Sequence, residues 1–160
     1  MANVKPIPDN YPAIIPYLII RGAAKALEFY KQAFGAAEVM RLPHPDGRIG
    51  HAEIRLNGAP VMMADEFPEM GIVGPQTTGG STVSICLYTE DVDKVFDRAV
   101  SLGAKSIRAV ENKFYGDRGG QLEDPFGHRW DLMTHIEDVS PEEMARRSEA
   151  MLCEAQEKKK

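Results

Sequence analysis

The second half of this chain reads as a copy of the first, and that repeat limits the fold more than any other feature. In the first half, β-rich Ile14 to Ile20 leads through Gly22 into a helix. Its apolar residues Ala23, Leu27, Tyr30 and Phe34 recur at helical spacing, and Gly35 ends it. A strand near Ala37 to Leu42 runs into the turn Pro43 to Gly47. Strand His51 to Leu56 then meets Asn57-Gly58, a dipeptide suited to a type I′ turn, and the chain returns through Ala59 to Ala64. The second half repeats the order: strand Val83 to Tyr88, helix Glu90 to Leu102, strand pieces Lys105 to Val110 and Gly120 to Glu123, and strand Arg129 to Thr134 after the turn Asp124 to Gly127. Leu27 and Phe34 align with Val95 and Leu102 at an offset of 68, and Gly58 aligns with Gly127 at 69. A repeat far longer than a solenoid unit indicates duplication of a supersecondary module. The expected fold class is α+β, with two βαβββ modules. The first spans residues 12–66 and the second 82–136, joined by a Gly-, Pro- and Thr-rich linker over 67–81.

A third part follows. Ser140-Pro141-Glu142-Glu143 supplies a serine cap, a first-turn proline and a capping-box glutamate, so a C-terminal helix is expected over 140–157. Met144, Met151 and Leu152 give it a narrow apolar stripe, for packing on the domain or for dimerisation. Lys158 to Lys160 read as a solvated basic end. A 43% hydrophobic content supports a real core, and the net charge of −5 argues against a nucleic-acid partner. No apolar run approaches membrane length, and Met1 to Asp9 has no apolar signal core. Cys86 and Cys153 fit neither a disulfide framework nor a zinc spacing. The expectation is a cytoplasmic protein with no membrane partner.

Several motifs resemble the PhnB-like branch of the vicinal-oxygen-chelate superfamily, which includes glyoxalase I and the bleomycin- and fosfomycin-resistance proteins. They are Pro16-Tyr17-Leu18, Phe29-Tyr30-Lys31, Phe34-Gly35, Gly116-Asp117-Arg118, Asp124 to Trp130, and Thr134-His135 with Glu137 to Glu143. The resemblance covers nearly the whole chain and speaks to fold more than to substrate. It implies strands that curl around a cavity, and a homodimer.

In metal-dependent members, ligands come from the first and last strands of each module. Carried onto this chain, those positions are Ile15, Met62, Ser84 and Asp131. Ile15 has no donor atom, Met62 offers a soft thioether, and Ser84 is a poor neutral ligand. Only Asp131 is a competent carboxylate, whereas a catalytic zinc needs about three protein ligands. The usual metal site, and any cofactor with it, is therefore expected to be lost. A non-standard divalent site from His51, Glu53 and Asp131 stays open, if the two modules' cavity faces meet. No glycine-rich strand-turn-helix offers a seat for S-adenosylmethionine.

Strand alternation extends the cavity face from those positions. In the first half it takes Ile15, Tyr17, Ile19, His51, Glu53, Arg55, Met62 and Ala64. In the second it takes Ser84, Cys86, Tyr88, Arg129, Asp131, Met133 and His135. Ala52, Ile54, Leu56, Val61, Met63, Val83, Ile85, Leu87, Trp130 and Leu132 fall on the core side. Tyr115 to Arg118 read as a loop that either closes over a ligand or is fixed by its own Asp117 and Arg118. His51 reads as a ligand contact or as an edge residue, and the Glu53/Arg55 and Asp131/Arg129 pairs as binding groups or as surface ion pairs. The function expected is binding of a small organic molecule in a sheet-lined cavity. The alternative is a lyase, isomerase or dioxygenase-type enzyme that uses cavity carboxylates or a non-standard metal.

Overall fold

The computed structural model describes residues 4–157, with side chains through residue 153; the basic end at Lys158 to Lys160 lies outside the described residues. The first module runs β1 (Tyr17–Ile20), α1 (Ala23–Phe34), β2 (Ala37–Pro43), β3 (Ile49–Leu56) and β4 (Ala59–Asp65). A 3-10 turn at Pro68–Met70 and the short α2 (Pro75–Thr78) carry the chain across. The second module runs β5 (Ser84–Tyr88), α3 (Val92–Ser101), β6 (Lys105–Asn112), β7 (Asp117–Glu123) and β8 (Arg129–His135), and α4 (Pro141–Glu157) follows. Each module forms an open four-stranded sheet, ordered β1-β4-β3-β2 and β5-β8-β7-β6. The first and last strands of each module pair parallel, and the other neighbours pair antiparallel.

The hairpin register follows from its turn. Asn57 and Gly58 both take positive φ, 47° and 84°, as a type I′ turn requires. Leu56 therefore faces Ala59, and Glu53 faces Met62. Gly22 has no side chain to cap α1. Asp65 at the end of β4 does it remotely: its Oδ1 accepts the amides of Gly22 and Ala23, each at 2.9 Å. Its Oδ2 accepts the amide of Ile49 at 2.6 Å, which ties strand, helix and hairpin to one carboxylate.

Both helices pack on the same side, and the two modules share a core. Ala52, Ile54, Leu56, Val61, Met63, Leu122, Trp130 and Leu132 are all buried there. The Trp130 ring of the second module lies 4.8 Å from Phe34 and 5.4 Å from Tyr30 of the first, centroid to centroid. Asp124, 3% exposed, accepts the Tyr30 hydroxyl at 2.7 Å and the Trp130 indole N–H at 2.9 Å. It also accepts the amides of Phe126 and His128, so its buried charge is fully answered. Burial, and then the Asp124 charge, push the Tyr30 hydroxyl far above its ordinary pKa, so it stays a donor.

Three expectations need correcting. The first strand begins at Tyr17, because Pro16 lacks an N–H and contributes only its carbonyl, to the Met62 amide at 3.0 Å. Val83, placed above on the core side, is 66% exposed because it precedes β5 and escapes the strand's alternation. Asp117 and Arg118 belong to β7 rather than to a loop.

Candidate functional site

With helices covering one side, the opposite face of each sheet carries the chemistry. On the first, the Tyr17 hydroxyl meets His51 Nδ1 at 3.0 Å, and His51 Nε2 meets Glu53 Oε1 at 3.1 Å. A carboxylate only accepts, so Nε2 carries a proton, and in the neutral ring Nδ1 accepts from Tyr17. The other Glu53 oxygen accepts the hydroxyl of Tyr11 at 2.5 Å. Arg55 donates to the Asn10 carbonyl at 2.8 Å and lies 5.4 Å from the Tyr11 ring centre. Residues 10 and 11 thus lie over this face, and Glu53 is only 5% exposed. The Tyr11 hydroxyl, and then the His51 ring, hold the Glu53 carboxyl below its usual pKa against the opposing effect of burial.

The second face is open. A cavity of about 540 Å³ is walled by Phe114, Tyr115, Met133 and Met151, with Asp131, Gln121, Cys86 and Gly119 within it and Arg108, Glu111 and Lys113 around it. That volume suits a small organic ligand. Ser84 donates its hydroxyl to Asp131 Oδ2, and Gln121 Nε2 donates to Oδ1 at 3.0 Å. Burial, and then the Asp131 charge, push the Cys86 thiol up, which disfavours the thiolate and hence nucleophilic chemistry. Lys113 is paired with Glu111 at 2.7 Å.

The remaining expected residues divide. Tyr88 and His135 form a separate cluster on Asp117, at 2.7 and 2.8 Å, and His135 also reaches Asp138 at 3.1 Å. Asp117, and then Asp138, raise the His135 pKa. Arg118, read above as part of a ligand-closing loop, instead points to α3, where it grips both oxygens of Asp93 at 2.7 Å. Its place in β7 alternates with the cavity-facing residues, so it sits on the helix side. Arg129 is exposed and does not line the cavity. The α4 stripe is half-exposed. Arg147 ties the helix to Glu137 and to the Phe114 carbonyl, which sets Met151 beside the groove.

Tyr11, Gln121, Phe114 and Met151 were not legible as site residues. Gln121 could have been found as the cross-strand partner of Asp131, which a hairpin register gives. The others are brought in by segments whose path no local pattern states.

The family model for the Glyoxalase/Bleomycin resistance protein/Dioxygenase superfamily matches residues 14–132. The chain belongs to this superfamily. The uncharacterized protein Mb0911c of Mycobacterium bovis is 42% identical over 136 residues, covering 83% of this chain and 90% of that protein. The crystal structure of the Arabidopsis thaliana gene product At5g48480 superposes with a TM-score of 0.62 at 26% identity, covering 76% of this chain and 98% of that one. A PhnB protein from Bacillus cereus, named as a putative 3-demethylubiquinone-9 3-methyltransferase, gives a TM-score of 0.62 at 22% identity over 77% of this chain and 99% of that one; this likeness concerns the fold.

The superfamily's metal does not fit the residues present. Ile15 has no donor, and both oxygens of Asp131 are already engaged by Ser84 and Gln121. His51 and Glu53 lie on one sheet and Asp131 on the other. Among the described residues, no three His, Cys, Asp or Glu side chains are placed to hold an ion. No helix among them is long and apolar enough to cross a membrane.

Proposed function

We propose that this protein binds a small organic molecule bearing a cationic head in the open groove of its second module, without the superfamily's usual metal. The observation that carries this reading is Asp131, an acid held by Ser84 and Gln121 in a cavity of about 540 Å³ with aromatic and thioether walls. Aromatic faces and a fixed carboxylate together favour an organic cation. Neither Arg55 nor Arg129 lines this groove, and Lys113 is neutralised by Glu111, which leaves Arg108 as the opposing charge. A homodimer in a reducing cytoplasm belongs to the same reading, and light scattering on purified protein tests the dimer.

Calorimetric titration with benzyltrimethylammonium and with a cationic glycopeptide tests the ligand class. Binding in the wild type that weakens at least tenfold in Asp131→Asn supports it. Flat heats with both probes would overturn it. Trp130 lies in the core and is no reporter for this groove.

A second reading, a lyase, isomerase or dioxygenase-type enzyme, is favoured by one observation: His51 is held between Glu53 and Tyr17 in the order an acid–base relay needs. Turnover in a mixed aldehyde and catechol screen, abolished by His51→Gln, would favour it over binding alone.

A further inference from the structure

We propose that the helix-free face of the first module's sheet is a second binding site, selective for phenolic compounds, and that Tyr11 is its built-in, exchangeable occupant. Glu53 is a nearly buried carboxylate on a sheet face, which is tolerable only when donors reach it. His51 supplies one donor from the next position on the same face of β3. The second comes from a phenol 42 residues away in sequence. Beside it, Arg55 takes up a backbone carbonyl, that of Asn10. A phenolic hydroxyl and a neighbouring carbonyl are thus the groups this face recognises.

The segment that delivers them is loosely attached. Pro6, Pro8, Pro12 and Pro16 withhold amide hydrogens, and residues 4–16 form no strand. The Tyr11 amide bonds back to the Pro8 carbonyl at 3.1 Å, within the segment itself. Among the described residues, the hydrogen bonds that join residues 4–12 to the rest of the chain are those to Glu53 and Arg55. Val4 and Ile7 are exposed, so little apolar burial holds the segment down. Lifting it breaks no ladder and frees Glu53 and Arg55, beside the already accessible Tyr17 and His51. The proposal needs neither the groove of the second module nor a ligand there.

The probe is 4-methylphenol, the Tyr11 side chain as a free molecule, with 4-methylanisole as the matched compound lacking the donor. An occupant in the same chain acts at high effective concentration, so the wild type binds the probe weakly, by the fraction of time the segment is open. In full-length Tyr11→Ala, 4-methylphenol is expected to bind at least tenfold more tightly than in the wild type, with Tyr11→Phe intermediate. The resonances of His51 and Arg55 should move, and 4-methylanisole should bind at least tenfold more weakly. In the wild type, high concentrations of 4-methylphenol should shift the Asn10 and Tyr11 amides toward an open-segment position. Equal binding of the two compounds would overturn the proposal. So would shifts confined to the second groove, or wild-type Asn10 and Tyr11 amides that never move while Tyr11→Ala binds.

Discussion

Glu53 faces Met62 across the strands of the first module, and Gln121 faces Asp131 across the strands of the second. These are matched positions of the repeat, since Tyr17 lies beside Met62 as Cys86 lies beside Asp131. Each pair holds one carboxylate, on β3 in the first module and on β8, the strand paired with the module's first, in the second. Two residues earlier, His51 in the first module corresponds to Gly119 in the second. The duplicated backbone therefore carries two sites of different character. One is filled, with an imidazole bridging Tyr17 and Glu53 beneath a segment of the chain. The other is open, and Gly119 stands where the first module has its imidazole. Identical topology fixed where the acids could stand, while side-chain choice at the matched positions and the segment at residues 10 and 11 gave the two faces their different character.

The largest expected effect tests what the modules share. Trp130→Ala should destabilise the protein by about 3–5 kcal/mol, with both modules still unfolding in one transition. Urea unfolding followed by circular dichroism and by an NMR probe in each module reads this. Two separated transitions would break the single-core picture. The next exchanges the faces. A Cβ at Gly119 would stand 2.7 Å from the Leu132 carbonyl oxygen, so Gly119→His should cost about 1–3 kcal/mol and abolish binding in the second groove. The converse, His51→Gly, meets no clash but removes one of the two donors to nearly buried Glu53, so it should cost about 2–4 kcal/mol, the strand penalty of glycine plus the lost donor.

A smaller effect sharpens the electrostatic contrast. In Asp131→Asn the amide oxygen can still accept from Gln121 while the new NH2 donates to the Ser84 hydroxyl, which turns acceptor, so the melting temperature should move little while cation affinity falls about tenfold, near 1.4 kcal/mol. The smallest effect is in pH dependence, where the two faces should slope in opposite directions. The folded-state pKa of Glu53 is lowered, so its contribution is present above the unfolded value of about 4.3 and is lost as pH falls through the folded value. The folded-state pKa of His135 is raised, so its contribution is full below the unfolded value of about 6.5 and is lost as pH rises through the folded value. Melting temperature against pH should become shallower on the acid side in Glu53→Gln, where other paired carboxylates such as Glu38 and Glu143 keep part of the slope, and shallower on the neutral side in His135→Gln.

Much of this arrangement was legible before any coordinates. Period-two alternation around Asn57-Gly58 put Glu53 opposite Met62 and sorted Ala52, Ile54 and Met63 to the core, because a two-residue turn leaves one register. Asp117 and Arg118 misled because they stand just before the strand expected to begin at Gly120, and the structure extends that strand back to Asp117. Gly120 serves close packing within it, since a Cβ there would meet Phe96 at 2.9 Å. Tyr11 was missed because a proline-rich terminus has no periodicity to assign it a face. The walls supplied by Phe114 and Met151 depend on where a loop and α4 come to rest, which is a tertiary outcome with no local signature.

The bond between Tyr30 and Asp124 spans 94 residues of sequence. During synthesis the first module leaves the ribosome with its aromatic helix face uncovered and its phenol unanswered. At ordinary elongation rates, about 5 to 20 seconds pass before the answering carboxylate has been made. For that interval the nascent chain displays Phe29, Tyr30 and Phe34 on a surface with nothing to cover it, and a holdase chaperone or a neighbouring nascent copy could reach it first. The contact that unites the finished protein thus sets the period of greatest exposure in its making.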